Sequence, residues 1–344
     1  MESNGKFFKR RRVSLGRYIV KRVLWMIPVL VGVIVIVFSI SYFTPGDPVM
    51  NILGSAGFTP EKYAAKQAEL GLDKPFFTQL VNYIWNIFTK FNFGISFGSS
   101  IPVSMEIAHR LPITIRIELM SIALMIMIGL PVGMVSALKQ YSILDTSLTA
   151  LALVAAAIPG FVLAVLAMLL FSVNLRWLPI SGISTWKAWI LPVSCSALPG
   201  LAIFSRYTRT TMLEVIRQDY IRTARAKGLK ESAVIRKHAL INCMIPLTTV
   251  VGSFIATMFA GSIIIETIFA IPGMGLYLLG GITARDYPVI NGVVFMVSVF
   301  VCVVNLIVDI LYAVIDPRIR VQYASPKKLA KEREKLLQTE GGAL

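Results

Sequence analysis

Six long runs without Lys, Arg, Asp or Glu divide this chain: Val23 to Gly46, Leu119 to Leu138, Thr146 to Leu175, Ala188 to Ser205, Ala239 to Ile265 and Tyr287 to Val308. A bilayer core of roughly 30 Å needs about 20 mostly apolar residues in helical form. Each run approaches or exceeds that length, so the pattern predicts an all-α polytopic membrane protein with six transmembrane helices. The fourth run is the weakest, being short and carrying Pro192, Pro199 and Gly200; a re-entrant or surface segment is the alternative there. Hydrophobic residues make up 56% of the chain and charged residues 15%, with mean hydropathy +0.73, more apolar surface than a soluble globule can hide. The runs are too continuous for the alternating pattern of a membrane β-barrel, and their spacing is too irregular for a solenoid.

Lys and Arg set the orientation, because basic loops stay on the cytoplasmic side. The tail through Arg22 holds eight, the second-to-third connection one (Lys139), the loop between the fourth and fifth runs nine, and the tail after Ile315 seven. The alternate loops together hold eight, so both termini are expected in the cytoplasm. The net charge of +16 is then a matter of topology, and nucleic acid is not an expected partner. The basic start and apolar run resemble a signal peptide, but the run is long and leads into SYFTPGDPV with no small-x-small cleavage pattern, so it reads as a retained first span.

The chemistry of a catalyst is missing from the pattern. Cys195, Cys243 and Cys302 lie in or beside separate spans, which suits apolar packing and gives neither a disulfide framework nor a metal spacing. His109 and His238 fall outside the runs, and no GxxxxGK[ST] loop is present to cradle ATP. A catalytic dyad within the spans, which an intramembrane enzyme would need, is not found. Arg116 and Glu118 are placed at the outer entrance of the second span, Glu266 at the outer end of the fifth and Asp309 near the inner end of the sixth; pairing with neighbours or water is the expectation for all four. Pro131, Gly133, Pro159, Gly160, Gly252, Gly261 and Ser262 permit bends and close approach, without singling out a substrate contact.

Two aqueous regions stand out. The outer one, Asp47 to Arg110, predicts helices over Pro60 to Leu70 and Pro75 to Phe91, and either caps the bundle or meets an external partner. The inner one, Arg206 to His238, mixes nine bases with Glu214, Asp219 and Glu231. Arg209 to Lys227 predicts one helix, with Met212, Val215, Ile216 and Tyr220 as its apolar stripe; Gly228 would end it in the left-handed conformation, and Glu231 to Ala239 would begin a second. Thr223, Ala224 and Ala226 leave room for close approach by another protein, and Arg222, Arg225 and Lys227 offer charge. Such a compact polar turn between two spans suggests a handle for a soluble motor.

That turn, DYIRTARAKGL at Asp219 to Leu229, followed by RKHALINCMIP, resembles the cytoplasmic signature of binding-protein-dependent ATP-binding-cassette importer permeases. Only Ala224, Gly228 and Leu240 fit the family's general EAA form, and the wording is closer to its dipeptide, oligopeptide and nickel branch. FTPGDPV at Phe43 to Val49, LGLDKP at Leu70 to Pro75, WLPISG at Trp177 to Gly182, ETIFAIPGMG at Glu266 to Gly275, RDYPV at Arg285 to Val289 and NLIVDILYAVIDPRIR at Asn305 to Arg320 are similar to the same branch, more to the first permease of a pair than the second.

The resemblance implies a type I ABC importer permease fold. Its divisions would be a basic tail 1–22, a first span 23–46, an extracytoplasmic loop 47–110, a permease core 111–315 with coupling loop 206–238, and a charged tail 316–344. It also implies a bacterial or archaeal plasma membrane location, a homologous second permease, two nucleotide-binding ATPase subunits, an extracytoplasmic solute-binding protein and lipid contact. No cofactor would be bound directly, ATP and magnesium belonging to partner subunits. The coupling residues would be Asp219, Tyr220, Arg222, Thr223, Ala224, Arg225, Ala226, Lys227, Gly228 and Leu229. The solute is expected to be a dipeptide or oligopeptide, with nickel or a peptide-like solute as the alternative; a secondary transporter would instead show inverted repeats or mid-membrane charges.

Overall fold

The computed structural model describes residues 15–53 and 59–315, so most of both basic tails lies outside the described residues. Among the described residues thirteen α-helices follow one another: α1 (Leu15–Phe43), α2 (Pro48–Leu53), α3 (Pro60–Leu70), α4 (Phe76–Lys90), α5 (Val103–Leu138), α6 (Ile143–Ala157), α7 (Gly160–Ala167), α8 (Ile190–Ile216), α9 (Asp219–Ala226), α10 (Glu231–Ala233), α11 (Ile241–Ile268), α12 (Met274–Ala284) and α13 (Tyr287–Ile315). π-Helical turns extend α7 through Met168–Asn174 and join α10 to α11 through Val234–Leu240. Five helical segments are long and apolar enough to cross a bilayer, and α6 with α7 makes a sixth if taken as one broken span.

The third expected span is broken because of Pro159. Proline disfavours helical backbone at the residue before it, and Ile158 is extended at φ −81°, ψ 124°, so the chain turns by 98° between α6 and α7. The second span is longer than its charge-free run. α5 has 36 residues, about 54 Å at 1.5 Å per residue, and includes Glu106, Arg110, Arg116 and Glu118 in an intact helix. Glu118 lies within α5, buried with neither oxygen in a well-formed hydrogen bond although the Ser196 hydroxyl is nearby, and about 30 Å along the helix from Leu138.

The segment whose spanning was least certain is the centre of the bundle. α8 packs against α5, α6, α7 and α11. Its contact with α5 is close enough to need glycine: a Cβ on Gly133 would lie 2.4 Å from the Ser205 carbonyl oxygen, and one on Gly129 would lie 2.9 Å from the Phe204 ring. Gly129 and Gly133 are four residues apart, the small-xxx-small spacing that brings membrane helices together. Gly252 of α11 backs onto Val308 of α13 in the same way, with a Cβ position 2.6 Å from Cγ1.

The outer region holds both helices expected of it. Thr59 caps α3 by accepting the Lys62 N–H, Pro60 opens the helix, and Gly71 ends it at φ 68°. α4 begins one residue later and ends one residue earlier than expected. α12, between the fifth and sixth spans, was not foreseen. Two ion pairs tie elements at the end of the bundle that carries the α8–α9 turn: Arg22 to Asp309 joins α1 to α13 at 3.1 Å, and Arg209 grips Asp145 through two bonds of 2.7 and 2.8 Å.

Gly133→Ala places a methyl group against a backbone oxygen and should destabilise the protein by about 1–3 kcal/mol. Gly32→Ala in α1, where a Cβ meets nothing within 4 Å, should leave stability unchanged or slightly raised. Thermal inactivation in detergent, followed by the loss of monodisperse protein, checks both.

Candidate coupling site and substrate path

α8 leaves the bundle and stops at Ile216, so the helix expected over Arg209 to Lys227 is two helices with a break at Arg217 and Gln218. Its first half belongs to the spanning helix; α9 is the separate piece. The predicted second helix is likewise the root of the fifth span, since Glu231 leads through the π-helical turns straight into α11. Hydrophobic periodicity saw one stripe because Met212, Val215 and Ile216 on α8 face the same core that α9 joins.

α9 is held by two side chains. Ile221 and Ala224 are buried in a cluster with Met212, Val234, Ile235, Ala239 and Cys243. Tyr220 was expected on the apolar stripe and is instead 43% exposed, one position away from the true anchor Ile221. Ala224 serves this internal seat, so the room it was expected to give an outside protein is used within the chain. Asp219, Arg222, Thr223, Arg225, Ala226, Lys227, Gly228 and Leu229 are exposed. The turn after α9 is closed by backbone and charge together. Gly228 has φ +74°, and its N–H donates to the Arg225 carbonyl at 2.9 Å. Arg225 donates twice to Glu231 across the turn, at 3.1 and 2.6 Å.

The Arg225 guanidinium holds the Glu231 carboxyl below the usual glutamate range. A carboxyl with a lowered folded-state pKa stabilises above its unfolded value and loses that contribution as pH falls through the folded value. Both partners are largely exposed, so solvent screening keeps the gain small. The Arg222–Asp219 pair, at 3.8 Å and almost fully exposed, adds less. The resulting element is a short helix and tight turn with a cationic outer face, rooted in the bundle by apolar contacts.

At the opposite end of the bundle Glu266 organises the outer mouth. Its buried carboxylate accepts from the Thr114 hydroxyl at 2.5 Å, from Gly275 N–H at 2.7 Å and from Leu276 N–H at 3.0 Å. Thr114 Oγ1 in turn accepts from Met274 N–H at 2.9 Å. Three otherwise unpaired donors of the first turn of α12 are thus satisfied, the favourable place for a carboxylate. The glycines of the AIPGMG stretch allow it: a Cβ on Gly273 would sit 2.3 Å from the Glu266 carboxyl, and one on Gly275 would sit 2.5 Å from Ile263 Cα. Asp286 does similar work nearby, accepting from Ser96 Oγ at 2.6 Å and Gly98 N–H at 3.1 Å, which pins the outer loop to the start of α13.

Asp145 was not foreseen as important. It accepts from Arg209, from the Ser136 hydroxyl and from Tyr141 N–H, joining α5, α6 and α8 at the end of the bundle that carries α9. The signal in the sequence was the Ser142-x-x-Asp145 spacing, a helix-start pattern, and Ser142 does accept the Asp145 N–H. Among the described residues no group of three or more His, Cys, Asp or Glu is placed to hold a metal.

A bundle of helices long and apolar enough to cross a bilayer, with a polar turn rooted at one end, defines the class: an integral membrane protein. The chain belongs to the binding-protein-dependent transport system inner membrane component family, whose model matches residues 129–321, with the family's N-terminal model matching residues 15–118. It is 42% identical over 310 residues to a putative peptide transport system permease protein of Brucella abortus (strain 2308), covering 88% of this chain and 98% of that one. It is 38% identical over 335 residues to the dipeptide transport system permease protein DppB of Escherichia coli (strain K12), with the same coverage. The oligopeptide transport system permease protein AppB of Bacillus subtilis (strain 168) is 38% identical over 316 residues, covering 89% and 99%. Among solved structures, the inward-facing MetNI methionine ABC transporter shares the fold with a TM-score of 0.52 at 20% identity, over 61% of this chain and 96% of that one.

Glu266→Gln keeps the size but has one acceptor oxygen in place of two: with that oxygen on the Gly275 and Leu276 N–H groups, the amide NH2 faces Thr114 Oγ1 and the Thr114 hydroxyl loses its acceptor. The expected loss is about 1–3 kcal/mol, read as a lowered melting temperature in detergent. Thr114→Val should lose a similar amount, because it removes the acceptor of the buried Met274 N–H.

Proposed function

We propose that this chain is a permease subunit of an ATP-driven importer that takes up dipeptides or oligopeptides delivered by an extracytoplasmic binding protein. A homologous second permease completes the path, two ATPase subunits bind ATP and magnesium below it, and both termini are cytoplasmic. The observation that carries this reading is the seating of α9. A solvated loop that only set topology would have no reason to bury Ile221 and Ala224 in the bundle and to close its turn with Gly228 and the Arg225–Glu231 pair. Residues 219–229 are the face offered to the motor, with Arg222 and Lys227 outward.

Closure of the ATPase pair moves α9, and because α9 and α10 are continuous in packing with α8 and α11, the movement reaches the spans. A few kcal/mol of differential binding is enough to shift the population between two arrangements of the bundle. The outward face of α11 supports a path shared with another subunit. Thr249, Ser253, Thr257 and Gly261 recur at helical spacing and are exposed, whereas the outward faces of α1 and α7 are apolar. The peptide reading of the cargo rests on the relatives being peptide, dipeptide and oligopeptide permeases, and nickel is the alternative solute.

Gly228→Pro cannot adopt φ +74° because the ring fixes φ near −65°. In proteoliposomes holding the copurified complex, at equal expression, this variant should lose both ATPase association and binding-protein-stimulated peptide uptake. Uptake by the chain alone, without ATPase and unaffected at Gly228, would point to a secondary transporter.

A further inference from the structure

α4 carries three distinct strips. Leu80 and Ile87, with Phe76, Tyr83 and Ile84 beside them, face the bundle. Gln79, Asn82 and Asn86 lie to one side and help line an outer cavity of about 770 Å³. On the other side Phe77, Val81, Trp85 and Phe88 recur at intervals of four, four and three residues and are 75%, 62%, 66% and 48% exposed. An apolar strip containing Trp, left bare opposite a polar strip, is the pattern of a helix that rests at a membrane boundary.

The position of α4 beside α1 fits that setting. Phe76 meets Phe43, at the outer end of α1, with ring centroids 5.5 Å apart; Tyr83 meets Phe38 at 5.4 Å, and Phe88 meets Phe295 of α13 at 6.2 Å. Phe38 lies five residues inward of Phe43, about 7–8 Å along the helix, and Phe295 lies eight residues inward of Tyr287, about 12 Å. α4 covers about 18 Å between Phe76 and Phe88. It therefore descends by about 12 Å over about 18 Å of helix, entering the outer boundary of the bilayer obliquely instead of standing above it or crossing it. Its bare strip is also continuous with an apolar surface: Ile36, Ile40 and Phe43 of α1 are exposed, and Phe43 runs through Phe76 to Phe77 in a chain of ring contacts.

We infer that α4 is an interfacial anchor whose Phe77, Val81, Trp85 and Phe88 insert among the lipids of the outer leaflet, while Gln79, Asn82 and Asn86 face the aqueous cavity. The anchor fixes the outer loop at a set height and makes α4 the wall between lipid and the water at the mouth. It depends on α1 spanning the bilayer and not on the nature of the cargo, so loss of peptide uptake in a variant would not bear on it.

The test places a nitroxide on single cysteines in the full chain, with its copurifying subunits, in phosphatidylcholine vesicles. Phe77→Cys, Val81→Cys and Trp85→Cys sample one strip; Thr78→Cys, Asn82→Cys and Thr89→Cys sample the polar side. Labelled unsubstituted protein supplies the background from Cys195, Cys243 and Cys302. Collisions with oxygen should exceed those with a water-soluble nickel chelate several-fold at the first three positions, and the order should reverse at the other three. Nickel-dominated collisions at 77, 81 and 85 would mean that the strip faces water. Exclusion of both relaxants would mean that a second permease or a binding protein covers it. Either result overturns the inference. Without any label, fluorescence quenching by phospholipids brominated near the headgroup should fall in Trp85→Phe relative to the unsubstituted protein; an equal quenchable fraction would contradict the anchor.

Discussion

The glycine-lined contact where α5 crosses α8, at Gly129 and Gly133, is the constraint on which the remaining architecture rests. Lipid offers apolar side chains no advantage in finding one another, so association depends on packing distance and on polar groups that need partners. Two glycines let α5 approach the carbonyl of Ser205 and the side chain of Thr208, and Ser121 adds a hydrogen bond to the Val193 carbonyl at 3.1 Å. Asp145 then fastens α6 to the same pair through Arg209. α8 becomes the fixed centre of the bundle, and what lies at its two ends inherits that position.

At the inner end α8 hands the chain to α9, whose Ile221 and Ala224 return to the core that Met212 and Phe204 of α8 help to form. A rigid handle results without any strong surface charge pair, because the exposed ion pairs in the loop are each worth only a fraction of a kcal/mol. At the outer end the buried carboxylates Glu266 and Asp286 replace water around the first turns of α12 and α13. The first turns of both helices would otherwise leave N–H groups unpaired beside the apolar bundle. Apolar packing thus sets the inner handle, and charge-to-backbone bonds set the outer mouth.

Much of this was legible in the sequence, and the failures have identifiable causes. Long charge-free runs marked the spans, Thr59, Pro60 and Gly71 marked α3, and Gly228 marked the turn, because each reports a local requirement of the backbone. α5 was drawn too short because charge was taken as the end of a helix, whereas Glu106 and Arg110 pair with each other one turn apart, 2.7 Å between their atoms. The break between α8 and α9 was missed because no Gly or Pro stands there; only the three-dimensional core shows that Ile221, not Tyr220, continues the apolar surface. Asp145 and α12 stayed hidden because their partners lie far along the chain, Arg209 for one and Glu266 with Thr114 for the other.

The central claim is that α9 moves with the bundle as one body. The most direct measurement is the distance distribution between spin labels at Arg222→Cys on α9 and Ile143→Cys at the start of α6, in the complete complex, with and without ATP. A rooted handle predicts one narrow distribution whose mean does not change on ATP addition. A broad distribution, or one that shifts with ATP while the spans stay in place, would show a flexible tether and contradict the account.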